Sequence, residues 1–129
     1  MPRRTVELTK SEWAIIKAVW ELEPCAAPDV QEALLKRTQW TYSTVRTLMD
    51  RMVAKGLLSG EKIRHMTLYR SAVTREQAQR SELLLTLKHA FDGALTPLVQ
   101  CLLKSEKLTE EELTELEALV RARRQAKSK

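Results

Sequence analysis

The sequence predicts a mainly α-helical fold with one small β-hairpin, and three observations lead to this prediction. Before residue 56, apolar residues recur at helical spacing in three segments. Over residues 57–70 the apolar period changes to two, which is typical of paired strands. Helical spacing returns at Thr74 and continues into the tail. Three short helices followed by a hairpin is the winged-helix arrangement, a variant of the helix-turn-helix. We therefore predict a winged helix-turn-helix head over 1–73 and a helical dimerisation tail over 74–129.

The first two helices have recognisable starts. Thr9 and Glu12 have the spacing of a capping box, in which each side chain satisfies the other residue's backbone amide. This first helix should end by Pro24, and a second helix should begin near Pro28, because proline suits a first helical turn. Their predicted buried stripes contain Trp13, Ile16 and Trp20, and then Val30, Ala33 and Leu34.

The third helix has the clearest pattern. Thr41 can cap its start, and Gly56 should end it in a left-handed conformation. Its predicted buried face contains Val45, Leu48, Met49 and Met52. In the segment that follows, Met66, Leu68 and Arg70 alternate with Thr67 and Tyr69. Two short strands joined by a turn near Lys62 to His65 are therefore predicted.

The tail should contain three helices. Thr74 with Gln77, and Thr109 with Glu112, have the spacing of further capping boxes. Gly93 and Pro97 should interrupt the first tail helix, so that a fresh helix covers Leu98 to Leu103. The last helix should fray over 121–129, where the residues are mostly basic.

Apolar side chains of the tail outnumber those that so short a chain can bury in a closed core. Pairing with the same segment of a second chain is the economical solution, and folding back onto the head is the alternative. The residues predicted to form the dimer interface are Leu84, Leu87, Phe91, Leu95, Leu98, Leu113, Leu116 and Val120.

Positive charge is concentrated in the head. The chain of 129 residues carries a net charge of +5, yet residues 36–70 alone contain eight basic and two acidic residues. A localised positive charge of this kind is typical of a phosphate-binding surface, and a merely solvated basic face is the alternative.

The outer face of the third helix and the hairpin tip supply the candidate DNA contacts. Small hydroxyl residues let a helix enter the major groove, and Arg46 could contact either a guanine or a phosphate. A basic hairpin tip could lie on the DNA backbone. The candidate residues are Ser43, Thr44, Arg46, Thr47, Arg51, Lys62 and Arg64. Asp50 shares the outer face, and His65 lies beside the tip.

Several other classes of protein are disfavoured. No apolar run is long enough to span a membrane, and no apolar stretch follows the basic pair near Met1, so we expect a cytoplasmic protein without a secretory signal. Cys25 and Cys101 lie far apart, and we expect two ordinary semi-buried thiols rather than a disulfide or a zinc site. Catalytic motifs, glycine-rich phosphate loops and paired metal ligands are missing from the sequence, so we expect neither an enzyme nor a cofactor.

Four segments in order resemble one family of repressors. They are residues 8–13 followed by Val19-Trp20, residues 40–48 with Arg51 and 55–57, Leu68-Tyr69, and residues 91–95 with Leu98-Val99 and 108–111. Together they cover most of the chain and resemble the penicillinase-repressor (BlaI/MecI-type) family of winged-helix transcriptional repressors.

The resemblance implies a homodimer that represses transcription from a palindromic operator on double-stranded DNA. Ser43, Thr44 and Thr47 match the family's DNA-contacting positions. In the β-lactamase regulators of the family, a membrane sensor protease cuts an Asn-Phe bond, and the matching positions here are Cys101 and Leu102. Two departures are clear: Arg64-His65 replaces the usual Gly-Arg pair of the wing, and the C-terminus lacks the cysteine-rich motif of copper-responsive relatives.

Two alternatives to a sequence-specific repressor follow from the residues alone. The first is a winged-helix protein-interaction module whose basic stretch serves solubility or an acidic partner. The second is an RNA-binding winged helix. A salt titration of DNA binding separates the first alternative from the repressor, because phosphate contacts weaken steeply with salt.

Overall fold

The computed structural model describes residues 6–127, which form six helices and one two-stranded antiparallel sheet. In chain order the elements are α1 (Lys10–Leu22), α2 (Ala27–Thr38), α3 (Tyr42–Ala54), β1 (Leu58–Ile63), β2 (Met66–Ser71), α4 (Arg75–Phe91), α5 (Leu95–Leu103) and α6 (Glu110–Lys127). The predicted class, mainly α with a small hairpin in a winged helix-turn-helix, is confirmed.

The helix starts follow from local hydrogen bonding, as predicted. At α1 the Glu12 amide donates to Thr9 Oγ1 at 3.2 Å, and the Thr9 amide donates back to the Glu12 carboxylate at 2.8 Å. Thr41 Oγ1 accepts from the Thr44 amide at the start of α3. The two tail boxes, Thr74 with Gln77 and Thr109 with Glu112, are also formed. These caps satisfy amides that have no partner within the helix.

The core of the head lies between α1, α2, α3 and the inner face of β2. Its largest fully buried side chains are Tyr69, Ile15, Ile16, Met49, Met52, Val19, Val30 and Val45. Trp13 and Trp20 are only half-buried and meet edge to face at 6.2 Å between ring centroids. The prediction that Ala33 is buried is wrong, because α2 turns Ala27, Val30 and Leu34 inward and leaves Ala33 on the exposed flank.

The hairpin closes more tightly than predicted. β1 and β2 pair from Leu58 opposite Ser71 to Ile63 opposite Met66, which leaves Arg64 and His65 as a two-residue turn. Arg64 has a φ of 59°, in the left-handed region that favours glycine. At the other end, Gly56 ends the α3 segment with a φ of 82°, and its predicted left-handed conformation is confirmed.

The tail helices differ from the prediction in two places. The break is centred on Gly93, whose φ is 82°, and α5 already begins at Leu95. Pro97 therefore lies inside the first turn of α5, where a missing amide hydrogen costs no helical hydrogen bond. The chain was predicted to fray from Arg121 onward, but α6 continues to Lys127, so the prediction is wrong over residues 121–127. Basic side chains near a helix C-terminus are favoured by the helix dipole and stabilise this last part of α6. Residues 128 and 129 lie outside the described residues.

Compact packing divides the chain into one unit that runs to Leu84 and a second that begins at Leu85. The start of α4 belongs to the first unit: Ala78 is buried in its core, and the Arg75 guanidinium lies 4.8 Å from the centre of the Trp20 ring. In the second unit, the described residues of α5 and α6 include no buried side chain.

Glu12 ties the start of α1 to the end of α3. Its side chain is 8% exposed, and its carboxylate accepts from Lys55 Nζ at 2.7 Å, while the Lys55 side chain stays half exposed. Burial disfavours the charged carboxylate, but the Lys55 ion pair and the Thr9 amide outweigh burial and lower the pKa of Glu12 below its ordinary value of 4.5. A lowered folded-state pKa contributes stability above the ordinary pKa, and this stability is lost as the pH falls through the folded-state value.

We expect Glu12→Gln to lower the free energy of unfolding at pH 7 by about 1–2 kcal/mol, because glutamine keeps the capping box but removes the ion pair. The difference from the parent protein should shrink as the pH falls below 4.5 and through the lowered folded-state pKa, because the parent's Glu12 then becomes protonated too. Urea denaturation at several pH values measures it. Glu21→Gln, at an exposed position of the same helix, is the control and should stay within about 0.5 kcal/mol of the parent. A loss that stayed the same from pH 7 down to the most acidic pH of the series would contradict the ion-pair explanation.

Candidate nucleic-acid interface

The α3 helix presents one polar face to solvent because its opposite face is anchored in the core. Val45, Met49 and Met52 are fully buried. The predicted contact residues Ser43, Thr44, Thr47 and Arg51 are all exposed, and Arg46 is half-buried.

The short connection between α2 and α3 fixes the angle at which α3 leaves the head. Gln39 ends α2 in a left-handed conformation with a φ of 55°. The Gln31 side-chain amide then donates to the Trp40 carbonyl at 3.2 Å, which ties the connection back to α2. A recognition helix in a helix-turn-helix needs such a fixed presentation, because its register on DNA depends on the angle.

Arg46 is the centre of a hydrogen-bond network between α3 and the hairpin. Its Nε lies 3.2 Å from Asp50 Oδ2, its Nη1 lies 3.3 Å from the Tyr42 hydroxyl, and its Nη2 lies 3.4 Å from Thr67 Oγ1 on β2. The Tyr69 hydroxyl, also on β2, donates to Asp50 Oδ1 at 2.8 Å. The network therefore joins the recognition helix to the wing through two side chains of each element.

Two members of the network, Tyr69 and Arg46, keep their protons over the ordinary pH range. Burial, and then the hydrogen bond to Asp50, raise the pKa of Tyr69 to about 12, so its hydroxyl keeps the proton that it donates. The hydrogen bond to Tyr42 and the charge of Asp50 raise the pKa of Arg46 further above its ordinary value.

The wing presents its basic residues at its tip. Lys62, Arg64 and His65 are all exposed, and they lie on the last residues of β1 and in the two-residue turn. Arg64 occupies the left-handed position at which the resembling family usually has glycine, so its side chain leaves the tip from an unusual backbone conformation.

Four residues of this network were not predicted as site residues: Tyr42, Asp50, Thr67 and Tyr69. Tyr42, Arg46 and Asp50 follow one another at a spacing of four, so their proximity along α3 was readable as a helical i, i+4 pattern. The link from Asp50 to Tyr69 had no such signal, because it depends on how the hairpin packs against α3.

The tail presents an apolar surface. Of the eight residues predicted for the dimer interface, Leu84, Leu95 and Val120 are exposed. The other five, Leu87, Phe91, Leu98, Leu113 and Leu116, are half-buried. Exposed apolar residues that the prediction left out are Leu83, Val99, Leu102, Leu103 and Leu119. Exposed apolar side chains on a helix are typical of positions that a partner covers.

The two cysteines lie in different environments, so the prediction of two semi-buried thiols is wrong. Cys25 is buried, and burial together with the nearby carboxylates of Asp29 and Glu23 raises the pKa of its thiol to about 11. Cys101 is exposed near the end of α5, beside Leu102. Over residues 6–127, no cluster of three side chains could hold a metal ion. No helix in that range is long and apolar enough to cross a membrane.

Comparison with known proteins identifies the family. The sequence pattern of the penicillinase repressor family matches residues 8–122. The chain belongs to the penicillinase repressor family. Members of this family are DNA-binding transcriptional repressors and not enzymes, and the resemblance seen in the sequence is confirmed.

Relatives and a solved structure agree with that assignment. The methicillin resistance regulatory protein MecI of Staphylococcus aureus (strain N315) is 24% identical over 116 residues, which cover 90% of this chain and 94% of that protein. A 16.5 kDa protein of Latilactobacillus sakei is 27% identical over 95% of this chain and 84% of its own length. The solved DNA-binding domain of the repressor BlaI is 20% identical and covers 59% of this chain and 93% of that domain, with a TM-score of 0.51. This last likeness supports the winged-helix fold of the head.

Proposed function

We propose that the protein is a cytoplasmic homodimeric repressor that binds a palindromic operator on double-stranded DNA. The observation that carries the proposal is the exposed face of α3, whose hydroxyl and basic side chains lie beside a basic wing on the same head. The named relatives support it, since MecI is a methicillin resistance regulatory protein. In this proposal Ser43, Thr44, Arg46 and Thr47 face the major groove, and Arg51, Lys62 and Arg64 neutralise phosphates.

We propose that residues 74–129 hold two such heads together. The apolar residues of α4, α5 and α6 that remain in water in a single chain would be covered by the same residues of a second copy. A two-fold interface of this kind buries one surface against itself, and a palindromic operator then has the symmetry of the protein.

The spacing of half-sites tests the two-headed proposal. Duplexes that bind the full chain should first be selected from a random pool and inspected for two inverted half-sites, about 10 base pairs or a multiple of that apart. Inserting five base pairs between the half-sites should lower affinity by about 10²–10⁴-fold, because half a helical turn carries one half-site to the opposite side of the duplex. Gel-shift titration measures the loss.

An insertion of ten base pairs keeps both half-sites on one side of the DNA and is the control. Its affinity should recover to the extent that the tail tolerates the greater distance. Equal binding to the parent duplex and to the five-base-pair variant would show that a single head binds, and would overturn the dimeric proposal.

We further propose that repression ends when the tail is cut or opened between Cys101 and Leu108. Cys101 and Leu102 lie in the last turn of α5, and residues 104–109 connect that helix to α6 without helical structure. Both side chains are exposed, but a protease that binds extended chain would have to unwind the last turn before it cleaved this bond. A membrane sensor protease is the agent that the family suggests, and its cut would remove α6 from the interface.

A further inference from the structure

We propose that Asp50 is the positioning residue that makes Arg46 a reader of bases rather than a phosphate contact, and thereby sets the specificity of the head. The proposal rests on the proposed function, since it assigns a role within the same DNA-binding surface. Its physical basis is the juxtaposition of the Asp50 carboxylate, the Arg46 guanidinium and the Tyr69 hydroxyl between α3 and β2.

The guanidinium has only one way left to make a two-point contact. Arginine carries five N–H donors, and Asp50, Tyr42 and Thr67 engage one each on Nε, Nη1 and Nη2. One donor on each terminal nitrogen remains. A bidentate contact to guanine O6 and N7 needs two adjacent donors, so Arg46 can make it end-on through Nη1 and Nη2. The side-on mode through Nε is blocked by Asp50.

The Asp50 carboxylate, which fixes the orientation of the Arg46 guanidinium, is itself held in place by a residue of the wing. Asp50 is 54% exposed and would be free to rotate on α3, but its Oδ1 accepts from the Tyr69 hydroxyl at 2.8 Å. Tyr69 is 1% exposed, and its backbone exchanges two hydrogen bonds with Cys25, of 2.7 and 3.1 Å. The neighbouring Ser71 amide donates to the Glu23 carboxylate at 2.9 Å, which anchors the same strand to the end of α1. A group fixed before binding loses less conformational entropy when DNA binds.

The charge of Asp50 also acts on phosphates. Arg46 and Asp50 together are neutral, so the pair adds nothing to the long-range attraction of the head for the DNA backbone. An exposed carboxylate on the recognition face repels any phosphate that approaches Arg46. Arg46 is therefore placed to donate its two remaining hydrogen bonds to a base edge rather than to a phosphate.

Asp50→Asn in the full chain tests the role, because it keeps the shape of the side chain and removes its charge. The probes are the duplex selected with the parent protein and a scrambled duplex of the same composition. We expect the ratio of selected to scrambled affinity to fall by about fivefold or more, since a bidentate guanine contact discriminates by roughly 5- to 150-fold. On the scrambled duplex, the slope of the logarithm of affinity against the logarithm of salt concentration should steepen by up to about 0.9 for each head, because the released Arg46 can now neutralise a phosphate.

Glu61→Gln is the matched control. Glu61 is the other acidic residue of the basic stretch 36–70, it is exposed on β1, and its substitution changes the net charge by the same amount. It should strengthen binding to both duplexes alike and leave the affinity ratio unchanged. Tyr69→Phe provides a second test at constant charge: it releases the Asp50 carboxylate, and the affinity ratio should again fall. Thermal unfolding identifies the folded variants, and Tyr69→Phe decides the matter if Asp50→Asn does not fold.

Different results would overturn the proposed DNA-binding function and the proposed role of Asp50. If the parent protein selects no duplex over the random pool, the proposed function is overturned. If the parent protein is selective while a folded Asp50→Asn variant keeps both its affinity ratio and its salt dependence, the role of Asp50 is overturned and the repressor remains.

Discussion

A chain that ends at Gln100 should be monomeric and should bind the selected duplex about 10²–10⁴-fold more weakly than the full chain. The truncation removes α6 and the end of α5, and with them the half-buried Leu113 and Leu116 of the proposed interface. When two heads are joined, the second docks at a high effective concentration, and this advantage is lost when they separate. Sedimentation gives the oligomeric state, and gel-shift titration gives the affinity.

A point substitution distinguishes the effect of losing the interface from the effect of losing the whole α6 helix. Leu116→Asp places a charge on the apolar face of the helix and should reproduce the monomer. Ala118→Asp places the same charge at an exposed position two residues further on, which a helix turns about 200° away, and should leave the dimer intact. A truncated chain that remained dimeric, or bound the duplex as tightly as the full chain, would overturn both the tail interface and the release mechanism.

Much of the secondary structure could be predicted from the sequence because its signals are local. The Thr9, Thr41, Thr74 and Thr109 caps each depend on residues three positions apart, and a helix start of this kind is decided by hydrogen bonds that it forms itself. The same holds for Gly56, whose positive φ follows from its place after the last helical residue.

Contacts between elements were harder to predict. The Glu12 carboxylate was expected to cap α1, but its ion pair with Lys55 joins residues 43 apart in sequence and depends on the packing of α1 against α3. Likewise, Tyr69 lies between Leu68 and Arg70 in β2, and only the observed packing shows that it is the fully buried member of that strand. Periodicity identifies a stripe, but the partner of a polar atom on that stripe is a tertiary property.

Two errors at helix ends have different causes. Pro97 was expected to break a helix and Arg121 to begin a frayed end, yet α5 contains the first and α6 continues past the second. For Pro97 a rule about the interior of a helix was applied to its first turn, and for Arg121 the general tendency of chain termini to fray was applied to residues that are still helical. Proline is tolerated in the first turn, and basic residues are favoured in the last.

Binding to the selected duplex should weaken by about 1,000-fold or more between 50 and 200 mM salt. Arg51, Lys62 and Arg64 are exposed on the proposed DNA face, and within residues 6–127 none of them forms a salt bridge. If each neutralises one phosphate, the two heads of a dimer release the counterions of about six phosphates. The logarithm of the affinity should then fall by roughly 5 for each tenfold rise in salt. Replacing all three residues with alanine should remove most of this dependence and most of the affinity at 50 mM salt.

The position of these charges, and not their number, is what the experiment must isolate. Replacing Lys88, Lys104 and Lys107 with alanine removes the same charge from exposed positions in the tail, and this variant should keep the parent's salt dependence. A protein-interaction module with a merely solvated basic face would show a shallow salt dependence on DNA and no difference between the two triple variants. A steep dependence that only the head substitutions abolish is expected of a surface that meets phosphates through the α3 flank and the wing, since counterion release counts the phosphates contacted and not the net charge of the chain.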